Sequence, residues 1–278
     1  MDINLDLDLD YDSDTNYDSD TYSNNNDDNN NENIEEIISI NNRFDLEEVN
    51  IRQKGLNNIL NFIYCKNIKK LDCQNNLISG FKNLPDCLKI LCCNNNSIKI
   101  LDNLPFGLEI LECSNNLIKN LDNLPFGLKI LHCTDNQLIN LNMLPESLEE
   151  LNCSNNLITY LDDLPIGLKI LFCDKNKITQ IHNIPKNLLE LSCDYNQLTE
   201  LINLPSNLTS LSFSSNNIGT ILNISDSLKI INCSYNNNFN PENLPKSIKT
   251  IYTNKFNYCK EKFNKTNFPN TNIIFLNG

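Results

Sequence analysis

The chain has 278 residues and a formal net charge of -13, and 40% of its residues are hydrophobic. The charge is local: residues 1–42 hold 13 acidic and no basic residues, which leaves 22 acidic and 22 basic residues elsewhere. A near-neutral remainder lacks the basic face of a nucleic-acid binder. No segment reaches the roughly 18 consecutive apolar residues of a membrane span, and the acidic start differs from that of a signal peptide. We therefore expect an intracellular monomer that binds neither nucleic acid nor membrane.

The first 64 residues precede the regular part of the sequence. Residues 1–33 are an acidic low-complexity tract that ends in an asparagine run, a composition typical of disorder. Residues 34–64 contain apolar side chains at helical spacing, as in Ile34, Ile37 and Ile38. We predict a disordered acidic tail over residues 1–33 and a helical N-terminal cap over residues 34–64.

A 20-residue pattern recurs from residue 65 to residue 256. In one pair of repeats, Leu108, Leu111, Cys113, Asn116 and Ile118 return 20 positions later as Leu128, Leu131, Cys133, Asn136 and Leu138. A constant period of this length predicts a solenoid, here of about ten coils, in which each repeat stacks on the one before. Residues 257–278 are predicted to form a C-terminal cap that ends in an apolar strand at residues 273–276.

Each repeat matches the leucine-rich-repeat pattern Leu-x-x-Leu-x-Cys-x-x-Asn-x-Ile. The pattern predicts an α/β horseshoe with a parallel sheet on its concave face. The returns on the convex face are short and marked by proline, so we expect them to be extended or polyproline-like, with little helix outside the N-terminal cap. The repeated asparagine is predicted to form an internal ladder, because its side chain can both donate to and accept from buried backbone groups.

Cysteine occupies one inward position of the repeat in eight coils. These residues are Cys73, Cys93, Cys113, Cys133, Cys153, Cys173, Cys193 and Cys233. Parallel side chains in an intracellular core favour small buried hydrophobes over disulfides, and a straight column offers a zinc ion two neighbours rather than four ligands. On the outward side, Cys92 and His132 lie two strands, roughly 10 Å, apart, too far for nucleophile activation. We predict no catalytic site, no metal and no cofactor.

The outward face of the predicted sheet carries the strongest indication of function. One column contains isoleucines on several coils, with aromatic and charged side chains beside it. Outward apolar residues on a concave sheet are typical of a protein-binding surface, although isoleucine is also favoured in strands for its shape alone. The predicted partner-binding residues are Ile90, Ile110, Ile130, Glu112, His132, Ile170, Phe172 and Tyr195.

Repeats such as LPFGLEILECSNNLIKNLDN and LPFGLKILHCTDNQLINLNM resemble the short leucine-rich repeats of secreted bacterial effectors. With cysteine in the core, an acidic low-complexity tract and abundant asparagine, the chain is also similar to the leucine-rich-repeat proteins of mimivirus-type giant viruses. The resemblance covers residues 68–256. It implies a leucine-rich-repeat fold and, for a viral protein, a location in the host cytoplasm.

Function follows less directly, because the same fold serves many activities. The main prediction is a non-enzymatic scaffold that binds another protein through its concave sheet. Some bacterial relatives carry a C-terminal ubiquitin-ligase domain, and because about 20 residues follow the last coil here, that activity is not expected. The alternative prediction is a substrate-recognition adaptor of a ubiquitin-ligase complex, docked through residues 34–64.

Overall fold

The computed structural model describes residues 47–58, 66–255 and 261–276. Twelve strands form one parallel sheet, and successive coils contribute neighbouring strands. A second sheet of two short strands, β7 and β9, lies on the return side. The strands are β1 (Glu48–Asn50), β2 (Lys70–Asp72), β3 (Ile90–Cys92), β4 (Ile110–Glu112), β5 (Ile130–His132), β6 (Glu150–Asn152), β7 (Tyr160–Leu161), β8 (Ile170–Phe172), β9 (Gln180–Ile181), β10 (Glu190–Ser192), β11 (Ser210–Ser212), β12 (Ile230–Asn232), β13 (Thr250–Asn254) and β14 (Asn272–Leu276).

The 20-residue period places identical repeat positions side by side. Ile110 pairs with Ile130 and Leu111 with Leu131, because the strands are parallel and in register. From β2 to β12, the middle residue of each three-residue strand, such as Leu111, is buried, and the flanking residues face outward. The buried residues of all coils join in one continuous hydrophobic core. The predicted solenoid with a parallel sheet is confirmed.

The asparagine column forms the predicted internal ladder. Nδ2 of Asn116 donates to the carbonyl oxygens of Cys93 and Cys113 at 3.1 and 3.0 Å. Oδ1 of Asn116 accepts the backbone N–H of Ile98 at 2.9 Å. Each ladder asparagine therefore supplies partners to backbone groups at the turn that leaves the strand, where the sheet offers none.

The residue before each ladder asparagine adopts a left-handed backbone. The φ angle is 57° at Asn95, 54° at Asn115 and 52° at Tyr195. Asparagine is the residue other than glycine that tolerates this region best, which explains the Asn-Asn pairs in several repeats. The sharp change of direction at this point ends the strand after three residues.

The returns are extended and held by tight turns. A typical turn closes through the backbone N–H of Leu128, which donates to the carbonyl oxygen of Pro125 at 3.1 Å. The described residues contain almost no helix apart from a short 3-10 turn at Pro241–Asn243. No helix in this part of the chain has the length and hydrophobicity that a membrane span requires.

The N-terminal end differs from the predicted helical cap. Within residues 34–64, the structure describes residues 47–58, which form β1 and a turn. Ile51 and Leu56 are buried, and the N–H of Leu56 donates to Oδ1 of Asn76 at 3.0 Å. This segment is therefore a further coil, which was missed because its strand lies 22 rather than 20 residues before β2. The rest of the cap and the predicted disordered tail, residues 1–33, lie outside the described residues.

Candidate binding surface

The outward isoleucines lie in one column of the concave sheet. Ile90, Ile110 and Ile130 are register neighbours on β3, β4 and β5, and Glu150 separates them from Ile170 on β8. All four isoleucines are half-buried rather than exposed. Each is covered on both sides by the residue of the adjacent strand, roughly 4.8 Å away. The apolar column is therefore continuous over three coils and less exposed than the sequence suggested.

The other predicted site residues lie in neighbouring columns. His132 and Glu112 are register neighbours, but Nε2 of His132 is 2.8 Å from Oε1 of Glu150 instead. Phe172 is half-buried on β8, and Tyr195 is exposed at the left-handed turn after β10. The structure thus brings the isoleucines and the His132–Glu150 pair together, and it places Tyr195 at the rim of the same face.

Cys92 is buried in the outward column beside Glu112 and Asp72. Burial, followed by the charges of these carboxylates, raises the pKa of the Cys92 thiol to about 12. A thiol with such a pKa is protonated at neutral pH and is a poor nucleophile. This environment works against the catalytic interpretation of Cys92 and His132.

The inward cysteines form a ladder of buried thiols that are not joined by disulfides. Sγ of Cys173 donates to the carbonyl oxygen of Ser192 on the next coil at 3.2 Å, and Sγ of Cys193 does the same to Ser212 at 3.3 Å. Burial raises the pKa of Cys113 to about 12. All cysteines that the structure describes are unbridged, and no group of three metal-binding side chains occurs among the described residues. The ladder is part of the core.

The concave face is acidic. From β3 to β11, the two outward strand columns and the column two residues after each strand, such as Asp174 after Phe172, contain no lysine or arginine. The acidic residues of these columns are Glu112, Glu150, Asp174, Glu190 and Asp194. Because they share one side of the sheet with the isoleucine column, the surface combines negative charge with an apolar strip.

Asp174 and Asp194 are a pair of partly buried carboxylates one coil apart. Oδ1 of Asp194 accepts from the Ser212 hydroxyl and the Ser214 N–H, both at 2.6 Å. Oδ1 of Asp174 accepts from the Ser192 hydroxyl and the Asp194 N–H, both at 2.7 Å. Burial is the main cause that raises the pKa of Asp194 to about 7, with the Asp174 charge adding to it, and burial also raises the pKa of Asp174.

A row of alternating charges borders the concave face where the chain enters the strands. Glu109 lies between Lys89 and Lys129, with N···O distances of 3.0 and 2.7 Å. The hydrogen bond from Lys129, followed by that from Lys89, lowers the pKa of the Glu109 carboxyl. These ion pairs are exposed, so they contribute little to the free energy of folding. They mark the border of the concave surface.

The most exposed apolar side chains were missed at the sequence level. Phe106 and Phe126 are 88% and 85% exposed, on adjacent coils, in the loops that lead into β4 and β5. Ile166 occupies the same repeat position before β8 and is also exposed. The sequence contains a signal for this exposure in the repeated Pro-Phe-Gly at residues 105–107 and 125–127. Proline and glycine indicate a turn, and a large apolar residue within a turn points away from the core.

These features define the fold as a leucine-rich-repeat solenoid with a cysteine ladder and an acidic concave sheet. No protein-family profile matches the sequence, and no curated protein matches it. Among solved structures, the functional domain of InlJ from Listeria monocytogenes is similar, with a TM-score of 0.71 and 26% identity. The match covers 84% of this chain and 54% of InlJ, which is itself described as including a cysteine ladder.

Two further similar structures come from complexes. One is a chain of the octameric complex of latrophilin 3, Unc5D and the FLRT2 leucine-rich repeat, with a TM-score of 0.57, 19% identity and coverage of 76% of this chain and 82% of that chain. The other is the complex of TLR13 with ssRNA13, with a TM-score of 0.60, 20% identity and coverage of 83% and 39%. Identities this low show the fold and leave the partner open.

Proposed function

We propose that this protein is a non-enzymatic scaffold whose concave sheet binds a partner protein with basic side chains around an apolar contact. The observation that carries the proposal is the composition of the concave face. Five acidic side chains accompany the isoleucine column from β3 to β11, and no lysine or arginine lies in these columns. Three of them, Glu112, Glu150 and Glu190, are at outward strand positions. Opposite charge steers association and favours correct partners, and apolar contacts supply most of the binding energy.

Two of the similar structures are complexes, which supports a binding role for this fold. The leucine-rich repeat of FLRT2 is part of an octameric complex with latrophilin 3 and Unc5D, and TLR13 is in a complex with ssRNA13. For the present chain, the negative concave face disfavours a nucleic-acid partner, because phosphates require lysine and arginine. A basic protein surface meets the same charges favourably.

Cross-linked capture from cells tests the proposal with matched charge reversals. The concave pair Glu112→Lys/Glu190→Lys changes two half-buried carboxylates, and the control pair Glu146→Lys/Glu200→Lys makes the same charge change at exposed positions outside the concave face. We expect a protein that wild type and control capture and that the concave pair loses. Identical capture by all three chains, or loss with the control alone, would contradict a concave interface.

The adaptor role in a ubiquitin-ligase complex is the alternative within the same proposal. Its predicted docking segment, residues 34–64, lies largely outside the described residues. The test is capture of a ligase subunit by the full chain and its loss on deletion of residues 34–46. The similarity to giant-virus proteins, the cytoplasmic location and the monomeric state likewise stay predictions.

A further inference from the structure

The large sheet ends at β14 with an edge that no described strand covers. On the inner coils, the backbone N–H at the cysteine position donates to the next coil, as from Cys113 to the carbonyl oxygen of His132 at 2.8 Å. Phe275 occupies the cysteine position of β14. It pairs with Thr253 of β13, and Thr253 in turn lies beside Cys233 of the preceding coil. The N–H of Phe275 therefore points to where a thirteenth strand would lie.

This edge is long and apolar. β14 has five residues and no charge, and Ile273 and Phe275 pack against the core while staying half-exposed. The corresponding inner residues, such as Leu111 and Cys113, are fully buried. Exposed apolar edges of this kind are normally covered, because they pair readily with another strand. At the opposite end, β1 has three residues and begins with the exposed Glu48, which protects that edge.

A segment of this chain has the pattern that such an edge accepts. Residues 2–10 alternate without exception between polar and apolar side chains. The apolar members are Ile3, Leu5, Leu7 and Leu9, and the polar members are Asp2, Asn4, Asp6, Asp8 and Asp10. Strict alternation over nine residues is typical of a strand with one buried face. An isolated strand of this kind needs a sheet edge to pair with.

Charge distinguishes the two ends of the sheet. The described residues from 241 to 276 include five lysines and two glutamates, so this end of the sheet has a net positive charge. Lys265 lies directly beside the start of β14, where its Nζ donates to the carbonyl oxygen of Thr271 at 2.6 Å. Residues 2–10 contain four aspartates and no basic residue, so they match the β14 end. At the β1 end, the exposed Glu47 and Glu48 would repel them.

The chain is long enough to reach. Twelve strands at about 4.8 Å separate the two ends of the sheet by roughly 53 Å. The 37 residues from Asp10 to Glu47 span up to about 125 Å when extended and roughly 33 Å as a flexible coil. An intramolecular segment also has a high effective concentration at its site.

We propose that residues 2–10 of the same chain add to the edge of β14 as a closing strand. Ile3, Leu5, Leu7 and Leu9 then cover the open end of the core at Ile273 and Phe275. The backbone N–H of Phe275 gains a carbonyl partner, as in the inner coils. The interaction is separate from the concave surface and does not depend on the function proposed for it.

Amide hydrogen exchange of Phe275 in the full-length protein, followed by NMR, tests this proposal. The variant Leu5→Asp/Leu7→Asp destroys the apolar face, and the control Leu5→Val/Leu7→Val keeps it. Because residues 5 and 7 belong to none of the coils that the structure describes, neither variant removes a described core side chain of the solenoid. We expect exchange at Phe275 to be at least tenfold faster in the aspartate variant than in wild type, with the valine variant close to wild type.

Equal exchange of Phe275 in all three proteins would overturn the proposal. Sedimentation equilibrium decides whether the segment acts within its own chain. A monomer with a protected Phe275 supports the intramolecular strand. If the protein is a dimer and the protection of the Phe275 amide rises with protein concentration, the proposal is overturned. The segment would then come from a second copy of the chain.

Discussion

The Oδ1 atom of Asn156 accepts the backbone N–H of Leu138 at 3.0 Å, so one side chain joins two consecutive coils. Its Nδ2 donates to the carbonyl oxygens of Cys133 and Cys153, both at 3.0 Å. These backbone groups belong to the turn that leaves the strand and lie inside the protein. Repetition of this arrangement in successive coils fixes the strand spacing from which the concave face is built.

Replacement of Asn156 by leucine leaves the buried N–H of Leu138 without an acceptor. An unsatisfied buried donor costs about 1–3 kcal/mol, so the free energy of unfolding in urea is expected to fall by that amount. The exposed Asn120, replaced by leucine, is the control and should change stability by less than about 0.5 kcal/mol. An unchanged unfolding midpoint for Asn156→Leu would disprove the structural role of the ladder.

The cysteine ladder predicts a pattern of thiol reactivity. Cys113, Cys133, Cys153, Cys173 and Cys193 are buried with raised pKa values, so their thiolate fraction at pH 8 is very small. We expect iodoacetamide to leave these five residues unlabelled in the native protein and to label them in urea, as read by peptide mass spectrometry. Rapid labelling in the native state, or disulfides between neighbouring coils, would contradict the burial of this column.

The carboxyl of Asp194 predicts an unusual dependence of stability on pH. Burial raises its pKa from 3.8 to about 7 in the folded state, so the folded state binds a proton more tightly than the unfolded chain between these values. Stability contributed by this group is therefore present at low pH and lost as pH rises from about 4 to about 7.

The variant Asp194→Asn keeps an oxygen for Ser212 and Ser214 and removes the buried charge. We expect a higher melting temperature than wild type at pH 8 and a smaller difference at pH 5. The control Asp162→Asn makes the same change at an exposed position and should show neither effect. A variant less stable than wild type at pH 8 would refute the assignment.

Two phenylalanines with opposite environments test the boundary of the core. Phe213 replaces cysteine in the inward column, is fully buried and packs edge-to-face on Phe239 at a centroid distance of 5.2 Å. Its replacement by alanine should cost about 3–5 kcal/mol of stability. Phe126→Ala, at an exposed turn, should change stability by less than about 0.5 kcal/mol. Equal effects in thermal unfolding would show that the assigned inward and outward positions are wrong.

The constant period explains how much of the fold was predictable. Residues 20 apart become register neighbours, so Leu111, Cys113 and Asn116 lie where the pattern placed them. The coil at β1 was missed because its spacing to β2 is 22 residues, so the 20-residue period does not include it. A single irregular spacing therefore conceals a coil whose inward residues are otherwise ordinary.

The candidate surface was less predictable, because exposure depends on neighbouring strands. Ile110 faces outward as expected but is half-buried between Ile90 and Ile130. Asp194 looks solvated in the sequence, and its burial and its serine partners become visible when adjacent coils are stacked. The sequence defines which face a residue occupies, and the stack defines how much of it stays accessible.

The dissociation constant of the captured partner is the most direct test of a concave binding surface. It should be measured for wild type, Glu112→Lys/Glu190→Lys and the control pair Glu146→Lys/Glu200→Lys, each at low and high salt. We expect the concave pair to weaken binding at least tenfold, about 1.4 kcal/mol, and the control pair to stay within twofold of wild type. Equal affinities for wild type and the concave pair, or equal weakening by both pairs, would contradict binding through the concave sheet.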